Sequence, residues 1–257
     1  MSEWPQGTGR RILDIVDSTN AEGKRLAGGL TEPTWIFAKR QTSGRGRLGR
    51  AWFSFPGNLC ASLALPLKDP ANAPQRGFVA GLALRDAIIE QTGRPGRIEL
   101  KWPNDLLING GKLAGILLES VSGREAAHLV IGFGVNLAHA PTIVGLEKGK
   151  PKPVCLVGET GMLIAPEDFI TALAQSYMKR EEQYCREGFD SIRRQWLACA
   201  AGLGEKVVFR LPDREIHGIF SSIDQSGNAL VQGGSGKVSV AAADMIFEKG
   251  VSDAPGN

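Results

Sequence analysis

The residues best equipped for chemistry in this 257-residue chain are basic and flanked by glycine. Residues 39–50 read Lys39-Arg40-Gln41-Thr42-Ser43-Gly44-Arg45-Gly46-Arg47-Leu48-Gly49-Arg50, five cations with no carboxylate, in a chain of net charge +3 whose remainder is therefore net −2. Guanidinium groups and glycine amides on one loop can surround a phosphate. Gly44 to Gly49 matches G-x-G-x-x-G, but Trp52-Phe53-Ser54-Phe55-Pro56-Gly57 follows, where a dinucleotide-binding fingerprint must open a helix. No H-R-D or D-F-G follows as in a protein kinase, and none of the Gly-Lys pairs at 23, 111, 149 and 236 has the Ser or Thr of a P-loop. Acyl-enzyme chemistry lacks G-x-S-x-G, and Ser176-Tyr177-Met178-Lys179 is a chance S-x-x-K on an amphipathic helix. His128, His139 and His217 are isolated, and Cys60, Cys155, Cys185 and Cys199 form no C-x-x-C, which excludes an evident zinc site or disulfide framework. A second cluster, Lys101-Trp102-Pro103-Asn104-Asp105, precedes Gly111-Lys112-Leu113-Ala114-Gly115. There Lys112 opens an otherwise apolar strand, a costly place for an ammonium group unless it meets an anion.

Elements that would position these groups are legible in the pattern. Residues 11–17 read as a strand and Thr19 to Ala27 as a helix, with Thr19 and Glu22 spaced as a capping box. Strands follow at Trp35 to Ala38 and Leu59 to Leu65, and a helix opened by Pro74 runs to Gly93, apolar on most sides and so expected to be buried. Asn109-Gly110 between two apolar runs is a strong hairpin signal. The strand His128 to Asn136 carries Gly132 and Gly134 in its interior, where a ligand or another backbone must approach closely to justify them. Residues 140–153 form a Pro, Gly and Lys-rich loop, and Pro166 to about Ala200 is helical with a break near Gly188. Beyond Gly202-Leu203-Gly204, four or five short strands punctuated by turns predict a small separate β-barrel.

The composition is that of a globular protein, 42% hydrophobic and 22% charged, with 33 glycines, nearly twice the usual share. No repeat, secretory signal or membrane span is visible, so a reducing cytoplasm is the expected location.

Taken together, Ser18-Thr19-Asn20, the Gln41 to Arg50 loop, Lys101 to Asp105, Lys112 to Gly115 and Gly132-Phe133-Gly134-Val135-Asn136 resemble the biotin–protein ligases in order and spacing. With the terminal barrel, the resemblance covers nearly the whole chain. It implies an α+β catalytic domain similar to class II aminoacyl-tRNA synthetases over residues 1–203, a mixed sheet with helices, followed by an SH3-like barrel over 204–257. It implies that biotin and ATP, with Mg²⁺, form biotinyl-5′-AMP, and that biotin passes to a lysine of a biotin carboxyl carrier protein or domain. Biotin contacts carry over to Ser18, Thr19, Asn20, Gln41, Gly44, Arg45, Gly46, Arg47, Lys112, Gly115 and Gly132, and nucleotide contacts to Arg47, Arg50, Trp52, Lys112 and Asn136. Gly115 and Gly132 would let the backbone lie against the biotin rings, and simple tight packing explains each about as well.

Joining a carboxylate to an α-phosphate brings two anions together, so cations matter more than a nucleophile. Lys112 is the expected bridge, Arg47 the second cation, and Asp105 the residue that orients Lys112 or holds Mg²⁺; a hairpin-opening salt bridge is the plainer reading of Asp105. The basic loop is expected to be mobile until phosphate arrives, then to close and keep water from the mixed anhydride. Residues 140–153 would form a second lid, over adenine. Because the first catalytic strand starts near residue 11, the winged helix-turn-helix of some relatives has no room, and no specific DNA binding is expected. The chain would act as a monomer or homodimer. Two alternatives stay open: a lipoate or octanoate ligase of the same fold, and a non-enzymatic RNA-binding protein, which the two tyrosines and the lack of aromatics in residues 39–50 disfavour.

Overall fold

Apolar residues alternate along Thr34–Gln41 (β2) so that Trp35 and Phe37 enter one core and Ile36 another. This division, repeated on neighbouring strands, organises the molecule. The structure, a computed structural model, describes residues 3–67, 69–93, 96–122, 127–234 and 236–248; Met1, Ser2 and the stretch 249–257 assigned above to the barrel lie outside them.

Seven strands form a mixed sheet: Gly9–Val16 (β1), β2, Leu59–Leu67 (β3), Ile98–Lys101 (β4), Asp105–Ile108 (β5), Gly111–Ser122 (β6) and Ala127–Val135 (β7). Their order is β1-β2-β3-β7-β6-β5-β4, with β1 and β2 parallel and every other neighbouring pair antiparallel. One face carries the large core. Trp35 stacks on Phe133 at 5.5 Å and meets Tyr177 edge-on at 6.1 Å, under Gln75–Thr92 (α2) and Pro166–Glu187 (α4). As expected, α2 buries residues around most of its girth and ends on Gly93 in the left-handed conformation. Leu156–Thr160 (α3) precedes α4, and Phe189–Leu197 (α5) follows the break at Gly188.

Thr19–Leu26 (α1) covers the opposite face, where Ile36, Ala64 and Val130 form a smaller cluster. Gly23 brings α1 down on the sheet, since a Cβ there would lie 2.8 Å from Val130. The capping assignment at Thr19 is corrected. Ser18 is the N-cap, its Oγ accepting from Ala21 N at 3.4 Å, while Glu22 turns to Arg25 and Arg11. Thr19 is thereby freed to point its hydroxyl at Gln41.

Lys206–Arg210 (β8), Glu215–Ile223 (β9), Ala229–Gly233 (β10), Gly236–Val240 (β11) and Asp244–Phe247 (β12) form a five-stranded antiparallel sheet, order β11-β10-β9-β8-β12. It was expected to stand apart, but its interior is continuous with the main core. Trp102 meets Phe209 at 5.4 Å and donates from Nε1 to Gly227 O at 3.0 Å, and a Cβ at Gly227 would strike Phe78. The sheet thus shares its apolar core with its neighbour.

Candidate active site

Strand register builds the floor of the site on the α1 face. Across β3, β7 and β6, Cys60, Gly134 and Gly115 share one row, Ser62, Gly132 and Leu117 the next, and Ala64, Val130 and Glu119 the third. Asp105 extends the first row from β5. The glycines are spaces filled by protein. A Cβ at Gly132 would lie 2.2 Å from Asn20 Oδ1, and one at Gly134 would lie 2.2 Å from the Trp52 ring, which also covers Gly115.

A bulge delivers Lys112. Leu106 pairs with Ala114 but Leu107 with Lys112, leaving Leu113 extra in β6. Leu113 and Ala114 both sink into the large core, so Lys112 is turned onto the pocket face that strict alternation would have denied it. On its other side, the Leu113 carbonyl continues the β6–β7 pairing by accepting from Asn136 N at 3.0 Å.

The α1 end of the cavity is neutral and heavily hydrogen-bonded. Gln41 Oε1 accepts from Thr19 N at 2.8 Å and from Thr19 Oγ1 at 3.1 Å. Below them Ser62, fully buried, places Oγ 2.7 Å from Thr19 Oγ1 and 2.6 Å from Asn20 Oδ1. Asn20 donates from Nδ2 to Glu119 Oε2 at 2.9 Å and Leu117 O at 3.3 Å.

The other end is cationic. Lys112 Nζ lies 2.6 Å from Asp105 Oδ1, close in distance but poorly directed for a hydrogen bond, so that this buried oxygen has no hydrogen-bond partner among the described residues. Arg47 reaches Asn104 Oδ1 at 3.3 Å and Ala243 O at 3.5 Å; burial disfavours its charge, which Asp244 and Asp105 support. Arg50 pairs with Asp244, whose acidity Arg50 increases against the opposing effect of burial. Lys101 is 6% exposed, and burial pulls its ammonium down to about 8. Five cations (Arg45, Arg47, Arg50, Lys101 and Lys112) line the cavity against two carboxylates (Asp105 and Asp244). This surplus is suited to a bound anion.

The basic loop is tied by its own backbone hydrogen bonds. Trp52 N donates to Gly44 O at 3.0 Å and Gly46 N to Arg50 O at 2.7 Å, closing a narrow hairpin with Leu48 left-handed at its tip. Of its five cations, Lys39 is engaged outside with Asp14, while Arg45, Arg47 and Arg50 line the cavity.

The cavity thus gathers every candidate residue except Gly44. Gly44 instead lies where the hairpin arms cross, a Cβ there being 2.6 Å from Trp52 O. Gly132 lines the cavity and makes room for Asn20, and Asn136 donates its amide to Val154 O at 3.1 Å, tying down the loop that follows β7. Trp52 covers the strand glycines, and its buried Nε1 has no partner among the described residues. Among those residues no group of three or more His, Cys, Asp or Glu is poised for a metal. Sequence reasoning missed Ser62 and Glu119, which touch the site from beneath, and Asp244 and Met245, which β12 brings into its wall. Lys101 and Asn104 were signalled by the Lys101 to Asp105 cluster but given no role.

A mixed sheet with helices, an antiparallel C-terminal sheet and a cavity joining an acceptor-rich end to a cationic one define the class: an acid-activating ligase of two parts. Comparison agrees. Residues 12–136 match the biotin/lipoate A/B protein ligase family and residues 202–248 the biotin protein ligase C-terminal domain. A biotin--[acetyl-CoA-carboxylase] ligase of Paracoccus denitrificans is 45% identical over 92% of this chain and 99% of its own. The bifunctional ligase/repressor BirA of Bacillus subtilis is 31% identical over 90% of this chain and 72% of its own. Among solved structures, the biotin protein ligase of Aquifex aeolicus in complex with biotin and ATP superposes with a TM-score of 0.80 at 27% identity, covering 92% of this chain and 97% of that one. The chain belongs to the biotin protein ligases.

Proposed function

We propose that the protein activates biotin with ATP and transfers it to a lysine of a biotin carboxyl carrier protein or domain. In the first step a biotin carboxylate oxygen attacks the α-phosphorus, the bond to the β-phosphate oxygen breaks, and pyrophosphate leaves. In the second the carrier's lysine amine attacks the carbonyl of biotinyl-5′-AMP, an amide forms, and AMP departs with the bonding pair while the amine loses a proton. The observation that carries this reading is one cavity in which Lys112, beside Gly115, stands one strand row from the acceptor-rich Ser62–Gly132–Leu117 row and faces the arginine hairpin.

Thr19, Asn20 and Gln41 suit the ureido end of biotin. Lys112, held by Asp105, is placed to meet both the carboxylate and the α-phosphate, relieving the repulsion between two anions where it peaks. Arg47, Arg50 and Lys101 supply the remaining positive charge, and Pro141 and Ile143 at the cavity wall support the reading of the 140–153 loop as a cover for adenine. Mg²⁺ needs few protein ligands when phosphates share its shell, and the Asp105 carboxylate, whose Oδ1 is paired with Lys112, would have its second oxygen to offer; the ion would add charge neutralisation at the phosphates. Among the described residues no helix is long and apolar enough to cross a membrane, and a cytoplasmic location belongs to the same proposal.

ATP–pyrophosphate exchange with Mg²⁺ tests the reading, with biotin, lipoate, octanoate and no acid compared side by side. Exchange that requires biotin supports it. Exchange with lipoate or octanoate in preference would move the protein to the sister ligases, and none with any acid would refute adenylation.

A further inference from the structure

The neutral end of the cavity is controlled by a group that does not face it. Asn20 carries two N–H donors and one acceptor on its amide, and Glu119 Oε2 and Leu117 O, at 2.9 and 3.3 Å, can only accept. Its nitrogen must face them, because the flipped amide would set its oxygen against two others in a part-buried site. Asn20 Oδ1 is thereby turned to Ser62 Oγ and the space over Gly132. Ser62 has one hydroxyl proton and two acceptors within 2.7 Å, Asn20 Oδ1 and Thr19 Oγ1, and Thr19 has spent its own proton on Gln41 Oε1. Whichever acceptor Ser62 does not serve keeps a lone pair without a donor. With the Gln41 amide nitrogen as a donor at the same end, that lone pair matches a ring carrying both N–H groups and a carbonyl and disfavours one that has no N–H to give.

We infer that Glu119, outside the cavity and held by Lys24, is a specificity-determining positioning residue: it locks the Asn20 amide with its oxygen toward the ligand, so that the site selects a cyclic urea over a dithiolane, which has no N–H. The inference rests on the adenylation reading above and deepens it. Lys24 Nζ lies 2.6 Å from Glu119 Oε1, leaving Oε2 for Asn20. The ion pair is reached because Gly23 seats α1 directly on β7, one register row beyond the cavity floor. Although burial opposes it, the bonds from Lys24 and Asn20 hold the Glu119 carboxyl below its usual range.

The test is steady-state ATP–pyrophosphate exchange of the full chain with biotin or lipoate as the acid, in Glu119→Leu and Glu119→Gln. Glu119→Leu should raise KM for biotin roughly 10- to 100-fold and lower the preference for biotin over lipoate, with kcat and KM for ATP within about twofold. Glu119→Gln keeps an acceptor for Asn20 and should stay within about threefold of the parent in KM for biotin, a rescue that a general packing role would not produce. If Glu119→Leu does not fold because Lys24 loses its partner, Lys24→Leu/Glu119→Leu removes both charges and is read in the same way. A KM for biotin that is unmoved, or a parallel loss for biotin, lipoate and ATP, overturns the inference while biotin-dependent exchange in the parent leaves the functional reading intact. No exchange in the parent with any acid overturns both.

Discussion

The two ends of the cavity solve opposite electrostatic problems. At the α1 end, Thr19, Asn20, Gln41 and Ser62 are held to 3.1 Å or less by one another or by Glu119, so their orientations are set before a ligand arrives. At the other end Arg47, Arg50, Lys101 and Lys112 face Asp105 and Asp244, and one of these cations, Lys101, is buried deeply enough for its charge to be destabilised. Hydrogen bonds orient a neutral group for selection, whereas unneutralised charge stores an interaction that is released only when an anion is bound or forming. The first end should therefore govern which acid enters, and the second how fast it reacts.

The largest effect expected is at the junction. Lys112→Ala should lower single-turnover adenylation by roughly 10²- to 10³-fold, with biotin binding by calorimetry much less affected. A near-normal rate would erase the division between the ends. Asn20→Ala should do the reverse, raising KM for biotin by about 10-fold or more while kcat changes little, since it removes a recognition partner and not a transition-state charge.

Lys101 gives the comparison a pH signature. Its ammonium titrates near 8 in the folded chain, against an ordinary 10.5, so between those values the unfolded chain binds more protons and folding stability rises with pH. Below about 8 both states are protonated and the burial penalty is complete. Phosphate binding needs the charged form, so ATP affinity should fall as pH climbs through 8 while the unliganded protein becomes more stable. Thermal unfolding and ATP titration over pH 7–10 would display the crossing trends, and Lys101→Met should flatten both. The smallest effect is expected at the Arg50–Asp244 pair, which is partly exposed and so worth little by itself. Asp244→Asn should raise KM for ATP by no more than about fivefold. A larger change, read in the same exchange assay, would mean that the C-terminal sheet shapes the cationic end more strongly than one surface pair can.

Hydrogen exchange sharpens the picture further. The arginine hairpin has its own backbone bonds, and protection of residues 44–52 should rise when biotin and ATP are added together.

Much of this was legible in the chain. Asn109-Gly110 declared its hairpin, both residues taking the positive φ that such a turn requires, and the break at Gly188 separated α4 from α5. Residue types alone pointed to anion chemistry at the arginine loop and at Lys112, because concentrated charge and a lysine on an apolar strand are local features. The helix cap was misplaced by one residue, since Ser18 and Thr19 are equally able caps and only the Gln41 carbonyl, 22 positions away, decides which of them is free. No local signal marked Ser62, Glu119 or Asp244. Each matters through a partner distant in sequence, which strand register, the seat made by Gly23 and the packing of the C-terminal sheet bring within reach. The sequence by itself determined the elements and the chemical vocabulary of the site, because propensity, turn chemistry and charge are properties of short segments. Only the tertiary structure decided that a bulge turns Lys112 into the cavity and that Glu119 sets the face of Asn20, because both depend on contacts between separate strands and helices.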